Sequence, residues 1–355
     1  MMFDRRGLLI SAGAVTLAAG ACARPVRAQG LKSNAFDPVT YLDPELRAAA
    51  RELLGSGGPA LSEKTLPALR AQNTANAEPL LDNVPVLARQ VRGAGTNPDV
   101  TVYIVNARSG GARPGILHTH GGGHVLGSAK SELRYLQQLA RQLDCIVVTV
   151  EYRLAPAVRY TGSTEDNYAA LKWMYDAAGE LGLDSSRIAL LGESAGGTHA
   201  ALLAIAARDR GEVPVVFQCL VYPMLDDRTG STRELPPWIG AVLWSREANR
   251  FGWRAFTGSE PGTPGVPVAA VPARIENLKG LPPAWIGVGG ADLFVAEDIA
   301  YAERLTEAAV PTELLVVPRA FHAFDRIVPA ASVSQRFTRA KMDALRRAFA
   351  LVGHL

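Results

Sequence analysis

Residues 188–197 read Ile188-Ala189-Leu190-Leu191-Gly192-Glu193-Ser194-Ala195-Gly196-Gly197 and lead into a run of small and apolar residues that reaches Arg208. Four apolar residues followed by glycine read as a buried strand, and the alanine-rich stretch behind them reads as a helix. Between the two lies G-x-S-x-G, the turn that lifts a serine hydroxyl to the tip of a sharp strand-to-helix corner. A corner that tight leaves no room for side chains on its flanks, which accounts for Gly192 and Gly196. The helix behind the corner directs backbone N–H groups and its positive end toward developing negative charge. Ser194 is therefore the candidate nucleophile.

The same alternation extends in both directions. Short apolar runs at 101–106, 115–119, 145–150, 188–191, 215–221, 284–288 and 313–317 read as strands. Helical patterns occupy 131–143, 164–178, 195–208, 297–309 and 334–351. Continuous apolar strands separated by amphipathic helices predict an α/β fold with a mostly parallel central sheet flanked by helices. Such sheets place their sites at the carboxyl ends of the strands. Two regions break the pattern. Residues 29–90 read as a helical segment punctuated by Pro and Gly, and residues 224–270 as a long insertion in which Trp238, Trp244, Phe251, Trp253 and Phe256 argue for order. Both are expected to cap the strand ends of a domain spanning 91–355.

A serine nucleophile needs donors for the oxyanion, a base and an orienting carboxylate. His120-Gly121-Gly122-Gly123 follows the strand at 115–119, and a glycine run there lets bare N–H groups approach a substrate oxygen. The residue after the nucleophile, Ala195, supplies another donor. The usual chain order on such a corner is Ser, then Asp or Glu, then His. His322, just past the strand at 313–317, is the candidate base, because the other late histidine, His354, is penultimate in the chain. For the carboxylate, Asp292 follows the strand at 284–288, while Asp226 and Asp227 follow an earlier strand and remain competitors. His118, His120 and His124 invite a rival reading as metal ligands. No clustered carboxylate or cysteine accompanies them, so no metal is expected. No cofactor is required by these parts. A binding protein that has lost catalysis is the other rival, and it predicts a broken set of residues where this chain has all of them.

The whole chain is consistent with a globular enzyme. It has 355 residues, 48% hydrophobic and 20% charged, with a formal net charge of +3. No basic stripe with interleaved aromatics marks a nucleic-acid partner, and no apolar run is long enough to serve as a transmembrane anchor. Residues 1–28 have the plan of an export signal: Arg5-Arg6, an uncharged apolar run at 7–21, and Val26-Arg27-Ala28 as a small-residue cleavage site. The tandem arginines resemble a twin-arginine signal, although Asp4 stands where Ser or Thr is usual. This predicts an exported protein, periplasmic or secreted, with lipid anchoring through Cys22 as the alternative. Beyond that segment only Cys145 and Cys219 remain, both inside strand-like runs and read as core residues.

On these residues the chain resembles the bacterial hormone-sensitive-lipase-like esterases, a family with the α/β-hydrolase fold. The resemblance covers about 100–350 and rests on His120-Gly-Gly-Gly123, Glu151-Tyr-Arg-Leu-Ala-Pro156, Gly192-Glu-Ser-Ala-Gly-Gly197, Gly280-Leu-Pro-Pro283, Asp292 with Glu297, and His322. It implies Ser194 as nucleophile, His322 as base, Asp292 as its orienter, and Gly122, Gly123 and Ala195 as oxyanion donors. It also implies a small-molecule ester substrate, with short to medium acyl chains, and a cap built from the N-terminal segment and the insertion. Three positions depart from the family pattern. Ala157 stands where Glu is usual, His124 where an aromatic follows the glycines, and Glu193 where Asp is more common before the nucleophile.

Overall fold

Apolar strands bounded by glycine and proline assemble into one eight-stranded sheet in the order β1-β2-β4-β3-β5-β6-β7-β8. The strands are β1 (Val86–Val91), β2 (Val100–Val105), β3 (Arg113–Thr119), β4 (Ile146–Val150), β5 (Leu183–Glu193), β6 (Phe217–Val221), β7 (Ala284–Gly289) and β8 (Thr312–Val317). The computed structural model describes residues 36–57, 60–75 and 77–351. The expected export segment, Cys22 and His354 lie outside these residues. From β4 to β8 every pairing is parallel, while β1 and β2 run antiparallel at one edge.

The central strands β4, β6 and β7 are buried along their whole length, as helices on both faces require. One apolar cluster, including Leu136, Val147, Leu191 and Phe337, fills one face. A second, including Leu117, Val148, Leu190 and Leu203, fills the other. Consecutive residues of one strand, Leu190 and Leu191, fall into opposite clusters, as the two-residue period of a strand dictates. A third cluster joins Val125, Ala195 and Phe294 at the strand ends to Trp253 and Phe256 of the insertion. Among the described residues no helix is long and apolar enough to cross a membrane.

Each expected strand is present, and β1 is an additional one. Residues 86–90 fall within the segment expected to cap the site, and they form most of this sheet strand. An edge strand exposed along most of its length, as β1 is, carries no alternation to read. The rest of the N-terminal segment forms the short helix Pro38–Tyr41 and the helices Arg47–Ser56 and Leu66–Ala75. It is anchored at both sides of the strand ends. Arg70 donates to the carbonyls of Val125 (2.9 Å) and Ala155 (2.7 Å), and the Asp43 N–H donates to the Arg319 carbonyl (3.0 Å). Phe36 and Tyr41 also contact Trp238 of the insertion, so the two irregular regions meet.

Candidate active site

Ser194 sits between β5 and the helix Ala195–Arg210 at φ +57° and ψ −121°, a strained conformation for a residue with a side chain. The surrounding atoms show why the corner is built from glycine. A Cβ on Gly192 would lie 2.1 Å from the Gly196 carbonyl oxygen, and one on Gly196 would lie 2.0 Å from that of Thr119. The corner is fixed by the Ser194 N–H donating to Val221 (2.9 Å) and the Met224 N–H donating to the Ser194 carbonyl (3.0 Å).

The loops after β7 and β8 bring two further side chains to this point. His322 Nε2 lies 3.0 Å from Ser194 Oγ, and His322 Nδ1 lies 2.7 Å from Asp292 Oδ2. Asp292 is fully buried, and its other oxygen accepts from the Phe294 N–H at 3.0 Å. The imidazole is held between the rings of Tyr222 and Phe294, both at about 5 Å and steeply inclined. The competing carboxylates are occupied elsewhere. Asp226 pairs with Arg228 (2.7 Å), and Asp227 pairs with Arg274 (2.6 Å) and accepts from the Gly262 N–H (2.6 Å). Glu297 is buried below them and accepts from the N–H of Leu225 (2.6 Å) and Asp226 (3.2 Å), which ties down the start of the insertion. Burial, then the nearby Asp226 charge, raises its pKa well above the ordinary carboxylate value.

The glycine run forms the facing wall. Gly122 and Gly123 take φ values of +122° and +59°. The Gly122 carbonyl closes a turn with the N–H groups of Val125 and Leu126. Among the described residues no acceptor takes the N–H of Gly122, Gly123 or Ala195. The cap reaches this wall directly. A Cβ on Gly123 would meet the Trp244 ring at 2.1 Å, and one on Gly252, in the helix Arg246–Thr257, would meet the Gly123 carbonyl oxygen at 2.5 Å. Trp244 is itself held by its indole N–H donating to Asn249 (3.2 Å), whose amide donates to the Thr229 carbonyl (2.8 Å).

The early histidines have separate surroundings. His120 stacks on Tyr152 (4.2 Å between centroids), and its Nδ1 lies 2.8 Å from the Gly121 carbonyl oxygen. Burial pushes its pKa down to about 4. His124 stacks on Phe256 at 3.9 Å, which places a flat ring where the family pattern has an aromatic residue. His118 pairs with Glu193. Among the described residues no group of three or more His, Cys, Asp or Glu side chains has metal-holding geometry.

A cavity of about 390 Å³ opens over Ser194 and His322. Leu126, Leu243 and Trp244 line it on the glycine side, while Asn73, Ser131 and the Glu132–Arg326 ion pair (2.9 Å) form a polar wall. Sequence reasoning missed Asn73, Trp244 and Arg326 as lining residues. Arg326 had a readable signal, standing four residues after His322. Asn73 and Trp244 lie in segments without periodicity.

Comparison with known proteins agrees with this arrangement. A family model described as the alpha/beta hydrolase fold matches residues 116–326. The chain is 39% identical over 224 residues to esterase LipI of Mycobacterium tuberculosis, covering 62% of this chain and 69% of that protein. It is 37% identical over 243 residues to carboxylesterase NlhH of the same species, covering 66% and 74%. Among solved structures it superposes on a bacterial heroin esterase with a TM-score of 0.80 at 36% identity, covering 88% of this chain and 99% of that one.

Proposed function

The chain belongs to the α/β-hydrolase fold family, among its hormone-sensitive-lipase-like esterases, and is a carboxylic ester hydrolase; from that premise we propose that Ser194, His322 and Asp292 perform the reaction on esters with short to medium acyl chains. The observation that carries the assignment is the unbroken hydrogen-bonded run from Ser194 Oγ through His322 to Asp292, at 3.0 and 2.7 Å. His322 takes the Ser194 proton as Oγ attacks the ester carbonyl. Asp292 holds the imidazole in the tautomer with the proton on Nδ1 and stabilises the imidazolium that forms. The N–H groups of Gly122, Gly123 and Ala195 receive the oxyanion. The departing alcohol takes the proton from His322, which then activates water against the acyl-enzyme.

The acyl range rests on the cavity. Trp244, packed on Gly123, closes the glycine side, and the N-terminal segment and the insertion act as the cap that sets its depth. Ser194→Ala should lower hydrolysis of p-nitrophenyl acetate by several orders of magnitude, on the order of 10⁴-fold or more, and abolish labelling by a fluorophosphonate. Near-wild-type turnover in the folded variant ends the proposal. Export is proposed on residues 1–28 alone; a fusion of this segment to a reporter that stays in the cytoplasm would overturn it.

A further inference from the structure

Glu193, which departs from the family pattern before the nucleophile, and His118, one of the early histidines open to a metal-ligand reading, meet in the structure. Glu193 Oε2 lies 2.8 Å from His118 Nε2, and His118 Nδ1 lies 2.8 Å from Thr149 Oγ1. His118 and Thr149 are fully buried, and Glu193 is 7% exposed. The sheet register makes this meeting inevitable. His118 of β3 is paired with Thr149 of β4 on one side and with Leu191 of β5 on the other. Glu193 is two residues beyond Leu191, so its side chain leaves the sheet on the same face. A glutamate has the reach to cross to the neighbouring strand.

The three side chains partner one another in a row, with Glu193 Oε1 left without a hydrogen-bond partner among the described residues. With Glu193 ionised, His118 donates to it from Nε2, and Nδ1 accepts from the Thr149 hydroxyl. Burial works to raise the Glu193 pKa, but the facing His118, with Lys341 and Arg326 further away, outweighs it and brings the value down to about 2. On the opposite face of β3 the adjacent residue makes a second tie, Thr119 Oγ1 donating to the Gly196 carbonyl at 2.7 Å. β3 therefore grips the corner from both faces, just ahead of Ser194 and just behind it. Three residues beyond His118, past the end of the same strand, the glycine run begins at Gly121. The Glu193 carbonyl oxygen also abuts that run, 3.0 Å from where a Cβ on Gly121 would stand.

We infer that Glu193, His118 and Thr149 form a buried positioning chain that fixes the Ser194 corner relative to the glycine loop, holding the Ala195 donor in register with those of Gly122 and Gly123. The inference rests on the proposed role of Ser194 and the glycine loop. None of the three groups touches the reacting atoms; they act through the backbone they hold. Positional error is expensive in such a site, because a misplacement of about 1 Å costs roughly 100-fold in rate.

The test is steady-state kinetics on p-nitrophenyl acetate with Glu193→Leu, His118→Leu, His118→Gln and the double variant Glu193→Leu/His118→Leu, each checked for folding by thermal melting. Glu193→Leu and His118→Leu should each lower kcat by about 10- to 100-fold with KM changed by less than about threefold. The double variant should be no worse than the poorer single one, since one chain is broken in each case. His118→Gln, which keeps a donor for Glu193, should recover most of the loss. The inference is overturned if folded Glu193→Leu and His118→Leu keep kcat within about threefold of wild type, if their losses multiply, or if the losses fall on KM. If His118→Leu does not fold, Glu193→Leu and His118→Gln decide the matter by the same split. Wild-type turnover that Ser194→Ala abolishes is the separate mark of the esterase reading, so a failure of that reading is distinguishable from a failure of this one.

Discussion

The indole of Trp244 packs on Gly123 so closely that a single methyl group on that glycine would stand 2.1 Å from the ring. A residue of the insertion is thus a wall of the cavity and a support for the loop with the free N–H groups. Trp244→Ala should lengthen the cavity on that side. Each added methylene that finds apolar space contributes about 0.8 kcal/mol, so the kcat/KM ratio of octanoate to acetate esters should rise roughly tenfold or more. An unchanged chain-length profile would remove Trp244 from substrate selection. Gly123→Ala is the complementary experiment. It adds the clash and a side chain at φ +59°, and acetate turnover should fall by about 100-fold or more.

Asp292 makes the only carboxylate contact to His322 found among the described residues, through Oδ2 at 2.7 Å. Asp292→Asn keeps the size of the side chain but offers an amide where an acceptor is needed, which favours the wrong imidazole tautomer. We expect kcat to fall on the order of 10⁴-fold with the fold intact. Asp226→Asn should leave kcat within about threefold, because its carboxylate faces Arg228. Comparable losses in the two variants would contradict the assignment.

Arg70 links the helix Leu66–Ala75 to two loops at once, through the carbonyls of Val125 and Ala155. That helix brings Asn73 to the cavity. Charged hydrogen bonds of this kind contribute about 1.5–3 kcal/mol each when made. Arg70→Met should therefore loosen the segment more than the sheet. Limited proteolysis between residues 57 and 80 should accelerate, and KM should rise several-fold with a smaller change in kcat. Unaltered proteolysis and KM would show that the segment is held by other contacts.

What could be read from the chain followed physical locality. The strand–corner–helix at 188–208 was legible because its determinants are adjacent in sequence: apolar run, glycine, serine, glycine, alanine-rich helix. The choice among Asp226, Asp227 and Asp292 was open, because all three follow strands. It is decided by which loop end faces β8 and by the arginines that occupy the other two. β1 was unreadable for the opposite reason, since an edge strand with Leu87, Arg89 and Gln90 all exposed has no buried face to imprint a pattern. Trp244 was visible as an aromatic in an ordered insertion, but nothing local says which aromatic reaches the glycine loop. The Glu193–His118 pair depends on the register between β3 and β5, a relation between residues 75 positions apart. Locally, Glu193 reads only as a departure before the nucleophile and His118 only as a possible ligand.

His199 yields a prediction about acid. It lies one turn into the helix Ala195–Arg210, buried against Tyr152 (4.2 Å), Phe256 and His124, and among the described residues neither ring nitrogen has a hydrogen-bond partner. Burial, followed by the nearby His120, pushes its pKa down to about 3. His120 is down at about 4, and His124 is displaced the same way. In the unfolded chain these imidazoles titrate near 6.5. Below that pH the unfolded state takes up protons that the folded state refuses, so stability is complete above about 6.5 and falls as pH drops toward 4 and then 3. His120 and His199 each contribute on the order of 2 kcal/mol to the loss between pH 7 and 4.5. Glu193 extends the decline, since a carboxylate depressed to about 2 stabilises fully above its unfolded value near 4.5 and less as pH falls below it. His199→Phe keeps a flat ring among the same neighbours and removes one titrating group. Its melting temperature should drop less than that of the wild type between pH 7 and pH 4.5, by about 4 °C. Identical pH dependence in the two proteins would show that His199 is not a source of acid sensitivity.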